Sequence, residues 1–201
     1  MSLDAREPES GKRTLFWSLV IAVIVLDIVT KRMALAALTP RFRALPVVGD
    51  WITLHLVYNR GAAFGLSLGP YSRWIFMVLT VVALFILARL YRAAQPGDRL
   101  RLMAVGLVCG GAVGNLLDRI PTNNGVVDFI DVGVGVHRWP TFNVADMAIS
   151  CGALLLAWSL WGDDAPDEAA KSTVTTTTEE HVVVASPPAD HLPDAPSTVD
   201  G

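Results

Sequence analysis

Four blocks of apolar residues limit what this chain can fold into. They are Thr14–Leu38, Trp74–Tyr91, Leu102–Leu117 and Phe142–Gly162. Their apolar residues run on continuously instead of recurring at helix or strand period, which is the pattern of segments solvated by lipid tails. With 52% hydrophobic and only 17% charged residues and a mean hydropathy of +0.45, the chain is too apolar for an ordinary soluble domain. It reads as an all-α, multi-pass membrane protein with four transmembrane helices. Several of the blocks are short for a span and are expected to extend into the semi-polar motifs beside them.

Orientation follows from the connections. Arg89 to Arg101 is a short loop with four arginines around Pro96-Gly97, which reads as cytoplasmic. With four spans, both termini are then cytoplasmic, in agreement with Lys12-Arg13 before the first block. Arg41, Arg43 and Arg60 in the first outer segment run against the rule. The first block resembles a signal peptide, but Lys31-Arg32 and the later spans make it an uncleaved first helix. Residues 1–13 are a cytoplasmic N-terminus and 14–162 the membrane domain. Residues 163–201 are Thr/Pro/Ala-rich and acidic, without amphipathic period, and read as a disordered cytoplasmic tail.

Between the first two spans, residues 40–70 are not a spanning segment. Trp51 to Tyr58 alternates polar and apolar residues and is rich in β-formers, so a strand in a small sheet on the outer surface is expected. Asn59-Arg60-Gly61 is a turn signal. As turn formers Asn59 and Gly61 need no function; they are equally able to offer hydrogen bonds to an extended peptide. Residues 118–141, between the third and fourth spans, read as an outer loop rich in glycine and turn formers.

The carboxylates carry the chemistry. No glutamate occurs between Glu9 and Glu168, and the body holds only Asp27, Asp50, Asp98, Asp118, Asp128, Asp131 and Asp146. A charged side chain at the centre of a spanning helix costs roughly 2.5–3.5 kcal/mol on insertion scales, so such residues are paired, cavity-facing or functional. Asp27 and Lys31 lie one turn apart on one helix face, as an internal ion pair or as a polar latch beside a site. Asp128 and Asp146 fall on the same outer side, 18 residues apart. Brought together, two carboxylates cannot both ionise cheaply, so one keeps a proton near neutral pH. The charged one takes a proton from water and the neutral one protonates a scissile carbonyl. The alternative for Asp146 is a helix cap. Asn115, Asp118 and Arg119 at the outer end of the third span, and Asn143 three residues before Asp146, add polar groups. Arg119 can pair with Asp118 or donate to a peptide carbonyl.

These motifs together resemble one family. Asp-x-x-x-Lys (Asp27, Lys31), Asn-x-Gly-x-x-Phe (Asn59, Gly61, Phe64), GGAVGNLLDR (Gly110–Arg119), VVDF (Val126–Phe129) and FNVAD (Phe142–Asp146) follow in the order found in bacterial lipoprotein signal peptidases, signal peptidase II. The resemblance runs from about Thr14 to Gly162. It implies an aspartic endopeptidase of the bacterial inner membrane that removes signal peptides from prolipoproteins, cutting before a diacylglyceryl-modified cysteine. It implies four transmembrane helices with a small periplasmic β-cradle. Carried over motif by motif, it makes Asp128 and Asp146 the catalytic pair. The supporting, substrate-binding shell becomes Asp27, Lys31, Asn59, Gly61, Asn115, Asp118, Arg119 and Asn143. Asp131, three residues past the VVDF aspartate, is outside the motif, and so is the acidic tail.

Other functions fit less well. A Ser/Lys peptidase would have to use Lys31, and an ion-paired lysine stays protonated and is a poor base. A metal centre lacks ligands, since the body has only His55 and His137 and no HExxH; neither metal nor cofactor is expected. Cys109 and Cys151 lie in apolar blocks and form no disulfide framework. There is no basic tract with interleaved aromatics, so no nucleic acid partner is expected. The expected partners are the prolipoprotein substrates and membrane lipids, and the chain is expected to act as a monomer. A transporter or channel would place carboxylates mid-span, whereas all but Asp27 sit at helix ends or in connections.

Overall fold

The computed structural model describes residues 7–39, 44–61, 69–95, 97–121 and 124–163. Phe64, Arg41, Arg43 and the acidic tail beyond residue 163 lie outside the described residues. The chain runs α1 (Glu7–Leu38), β1 (Leu45–Val48), β2 (Ile52–Asn59), a 3-10 turn (Gly69–Tyr71), α2 (Ser72–Ala93), α3 (Arg99–Arg119), β3 (Val126–Val134), β4 (His137–Arg138) and α4 (Val144–Asp163). Among the described residues three helical stretches are long and apolar enough to cross a membrane: Gly69–Ala93, Arg99–Arg119 and Val144–Trp161.

α1 is the longest helix, at 32 residues, and starts earlier than the apolar block, taking in the polar residues from Glu7. Its buried positions are Lys12, Phe16, Val20, Val23, Asp27, Lys31, Ala34 and Leu38. They recur every three or four residues and form one stripe along the whole helix. The stripe mixes charge with hydrocarbon, so apolarity alone does not mark the inward face.

α3 is the axis. It packs on α1, α2 and α4, and its glycines let the backbones close in. A Cβ on Gly111 would strike the carbonyl oxygen of Ala145 in α4, and one on Gly114 would lie 2.6 Å from the Asp27 carboxylate. Phe16, Val20, Leu87, Val105 and Cys109 fill the bundle toward one end.

At the other end sits an antiparallel sheet ordered β1-β2-β3-β4. Ala34, Leu38 and Phe129, with Leu54, Leu56 and Val144 packed on them, fasten it to α1 and α4. The strand expected at Trp51–Tyr58 is β2. The expected loop over 118–141 is a correction: it contains β3 and β4. Val126 to Phe129 are all buried, so both faces of β3 are covered and no in-out alternation reaches the sequence. Two aspartates also interrupt its apolar run.

Candidate active site

β2 and β3 pair with Val57 opposite Asp128 and Asn59 opposite Val126, and a bulge separates Leu54 from Val57. Asn59 and Asp128 therefore share a sheet face as diagonal neighbours. The Asn59 Nδ2 donates to Asp128 Oδ2 at 3.0 Å. Its Oδ1 accepts the Gly61 N–H at 3.0 Å, so the turn fixes which way the amide faces.

Asp146 reaches the same place from α4. The Asn143 carbonyl accepts the Met147 N–H, which makes Asn143 the N-cap of that helix. The Asn143 Oδ1 accepts the Asp146 N–H at 2.9 Å, and Asp146 Oδ2 accepts the Asn143 N–H at 3.2 Å. This is a reciprocal capping box with Asp in the Glu position. Asp146 Oδ1 also accepts from Asn115 Nδ2 at 2.8 Å. Asn143, 0% exposed, has its Nδ2 at 2.7 Å from Asp128 Oδ1. The same Nδ2 lies 3.1 Å from Asn115 Oδ1 and 3.3 Å from the Val127 carbonyl.

Behind this layer lies the one lysine of the body. Lys31 Nζ donates to Asp27 Oδ2 at 2.7 Å and Asn115 Oδ1 at 3.2 Å, and stands 2.8 Å from Asp118 Oδ2. Asp27 Oδ1 accepts the Ala145 N–H at 3.0 Å, so an α1 carboxylate satisfies one of the free N–H groups that open α4. Asp118 Oδ2 also accepts the Val127 N–H at 3.2 Å. Asp27–Lys31 is thus both of the things the spacing allowed: an internal ion pair and the underside of the site.

Arg119 does not pair with Asp118. Its guanidinium donates to the Asn115 carbonyl at 3.2 Å and the Gly61 carbonyl at 3.0 Å, tying the Asn59–Gly61 turn to α3. Asp118 is taken by Lys31 and β3, which leaves Arg119 for the carbonyls.

The electrostatics separate the four buried-cluster carboxylates. Asp27 and Asp118 share the Lys31 ammonium. Among the described residues, no cation lies within ion-pair distance of Asp128 or Asp146, which receive only amide donors. Burial, and then the Asp146 charge, push the Asp128 carboxyl up to about 7, against its bonds from Asn59 and Asn143. That is the value of a carboxyl that exchanges its proton near neutrality. Asp131 behaves oppositely. Burial would raise its pKa, but bonds from Arg138 and Thr53 dominate and hold it below the usual range. Arg138 Nη2 is 2.8 Å from Asp131 Oδ2.

Asp128 and Asp146 open on a groove of about 810 Å³. The end of β2 and the turn after it, Val57 to Gly61, form one wall, Trp139 to Phe142 another, and Met147, Ile149, Ser150 and Cys151 carry it along α4. The 139–142 wall was not foreseen from sequence. It is held by the Phe142 carbonyl, which accepts the Phe129 and Ile130 N–H groups at 3.0 and 2.8 Å, a long-range pairing with no local signature. Among the described residues no three His, Cys, Asp or Glu side chains are arranged to hold a metal ion.

Three helices apolar enough to cross a membrane, with a groove at one end, fit a membrane enzyme. Relatives agree with that class. Two solved bacterial membrane enzymes share the fold, with TM-scores of 0.67 and 0.63 and 27% and 28% identity. They cover 76% and 72% of this chain and 91% of each of theirs. The family pattern of signal peptidase (SPase) II matches residues 19–162, and the chain belongs to that family. The lipoprotein signal peptidase of Syntrophotalea carbinolica is 42% identical over 148 residues, 73% of this chain and 91% of its own. That of Mycolicibacterium smegmatis is 42% identical over 169 residues, 80% and 68% of the two chains.

Proposed function

We propose that this chain is an aspartic endopeptidase that removes signal peptides from diacylglyceryl-modified prolipoproteins, cutting before the lipidated cysteine. The observation that carries the reading is the Asp128–Asp146 pair on an open groove, with asparagines around it and, among the described residues, no ion-paired cation. One carboxylate is ionised and takes a proton from water as it attacks the scissile carbonyl. The other holds a proton and gives it to the carbonyl oxygen. The pair titrates as a unit, so the roles belong to it jointly. Asn59 and Asn143 keep Asp128 in place, Asn115 and the α4 cap keep Asp146 in place, and Lys31 neutralises the carboxylates beneath. The printed names of the relatives support the substrate class.

The reading includes four spans, α1 being the first of them, both termini on the cytoplasmic side of the bacterial inner membrane, and the groove at the outer face. Between Arg13 and Lys31, α1 carries one charge, Asp27, and that charge is ion-paired inside the bundle. A lipid-anchored cysteine stays at the bilayer surface, so a pair at the helix ends meets the scissile bond at a set depth. The reading takes the enzyme as a monomer.

The test is cleavage of a diacylglyceryl-modified prolipoprotein by the purified full chain in detergent. Asp128→Asn and Asp146→Asn are expected to lose about 10²–10⁴-fold in rate while staying folded, and Asp131→Asn, whose carboxylate faces Arg138, to keep cutting. An inactive wild type, or an active Asp128→Asn, sinks the proposal.

A further inference from the structure

Arg73 is out of place in its own helix. It is the second residue of α2, where a cation faces the positive end of the helix dipole. Its guanidinium turns instead to the end of α3, donating from Nε to the Arg119 carbonyl at 2.7 Å and from Nη2 to the Ile120 carbonyl at 2.8 Å. A cation is favourable there, and the carbonyls need donors. α3 ends without a left-handed glycine, since Ile120 stays right-handed at φ −67 and ψ −49.

One turn further on, Phe76 lies against the Arg119 guanidinium, 5.8 Å from ring centre to carbon. The first two turns of α2 therefore hold both the backbone and the side chain of Arg119. The rest of α2 is packed lightly: its buried side chains are Ser72 and Leu87, near its two ends. From Arg119 the bonds continue to the Gly61 carbonyl at 3.0 Å, from the Gly61 N–H to Asn59 Oδ1 at 3.0 Å, and from Asn59 Nδ2 to Asp128 at 3.0 Å.

We propose that Arg73 is a positioning residue for the reaction: by holding the last carbonyls of α3 it sets Arg119, and through Arg119 the Asn59–Gly61 turn that orients Asp128. The inference rests on the peptidase reading. Arg73 acts through Arg119, so its signature is a change in turnover more than in binding. Geometry at a reacting pair is sensitive enough for this, since a misplacement of ~1 Å can cost ~10²-fold.

The test is steady-state cleavage of diacylglyceryl-modified prolipoprotein in detergent by wild type, Arg73→Ala, Arg73→Lys, Arg119→Lys and the Arg73→Ala/Arg119→Lys double variant. Arg73→Ala is expected to lower kcat by about 10–100-fold with KM within about twofold. Arg73→Lys restores most of it, because one ammonium still caps the carbonyls. In the Arg119→Lys background the Arg73→Ala step costs much less than in wild type, since two residues acting through one path are not additive. Unchanged kcat in Arg73→Ala, a rise in KM alone, or the same loss in both backgrounds overturns the inference. If Arg73→Ala does not fold, Arg73→Gln decides: a reduced kcat supports the inference, and wild-type turnover overturns it. A wild type that does not cut this substrate fails the peptidase reading, a different result from an Arg73→Ala that cuts as well as wild type.

Discussion

The Asn143 amide nitrogen stands 2.7 Å from Asp128 Oδ1, while the oxygen of the same amide accepts the Asp146 N–H at 2.9 Å. One side chain thus starts α4 and holds both aspartates. Capping needs an acceptor and orienting a carboxylate needs a donor, and an amide supplies the two from separate atoms of one short side chain. Asp cannot donate when ionised, and Ser cannot reach both ways. Asn143→Asp is therefore expected to do more damage than the loss of a cap alone. It should lower the cleavage rate by at least about 10²-fold and the unfolding midpoint as well, since a third carboxylate would join the pair. Cleavage rates and thermal unfolding in detergent check both.

The pH dependence of cleavage follows from the Asp128 value of about 7. The productive state holds one proton in the pair. As pH rises through about 7 that proton leaves, so kcat/KM is expected to fall about tenfold per pH unit above the break. A pH–rate profile flat to pH 9 would count against the shared proton.

Stability has the opposite sign from the ordinary carboxylate case. Asp128 is 1% exposed and its pKa is raised in the folded chain, from 3.8 to about 7. Its contribution is fully favourable below the unfolded value and is lost as pH rises through about 7. Asp128→Asn does not titrate, so it should gain on wild type between pH 4 and pH 8, by on the order of 2–4 kcal/mol. The comparison of unfolding midpoints at the two pH values checks it; an equal gap at both sinks it.

Removing Lys31 should hurt more than removing the ion pair. Lys31→Met leaves Asp27, 0% exposed, and Asp118 without their cation, at about 3–5 kcal/mol. Lys31→Met with Asp27→Asn should recover part of that loss. A double variant as unstable as the sum of the singles would show that the cluster is not coupled.

Gly111→Ala tests the close approach of α3 and α4. The added methyl meets the Ala145 carbonyl and comes within 2.8 Å of Ile149 Cγ1. A cost of about 1–3 kcal/mol is expected, with reduced cleavage, because Ala145 lies beside Asp146. An unchanged midpoint and rate would mean the helices part at no cost.

Much of this protein is decided along the chain. Continuous apolar runs have one comfortable environment, so the helical membrane class follows from composition and patterning. The alternation of Trp51–Tyr58 is a local property and marked β2. Motif order placed the family, and each of Asp27, Lys31, Asn59, Gly61, Asn115, Asp118, Arg119, Asn143, Asp128 and Asp146 lies in the one cluster or its turn. What the chain could not show by itself is anything decided by contact between distant segments. β3 is covered on both faces, which erases the period-two signal. The partner of Lys31 beyond Asp27 depended on α1 meeting α3, and Arg119 turned to the Gly61 carbonyl only because Asp118 was already taken. The part played by Arg73 has no local sign except a cation at the wrong end of a helix. Its meaning appears when the end of α3 is brought beside it, because a carbonyl dipole 2.7 Å away outweighs the repulsion of its own helix.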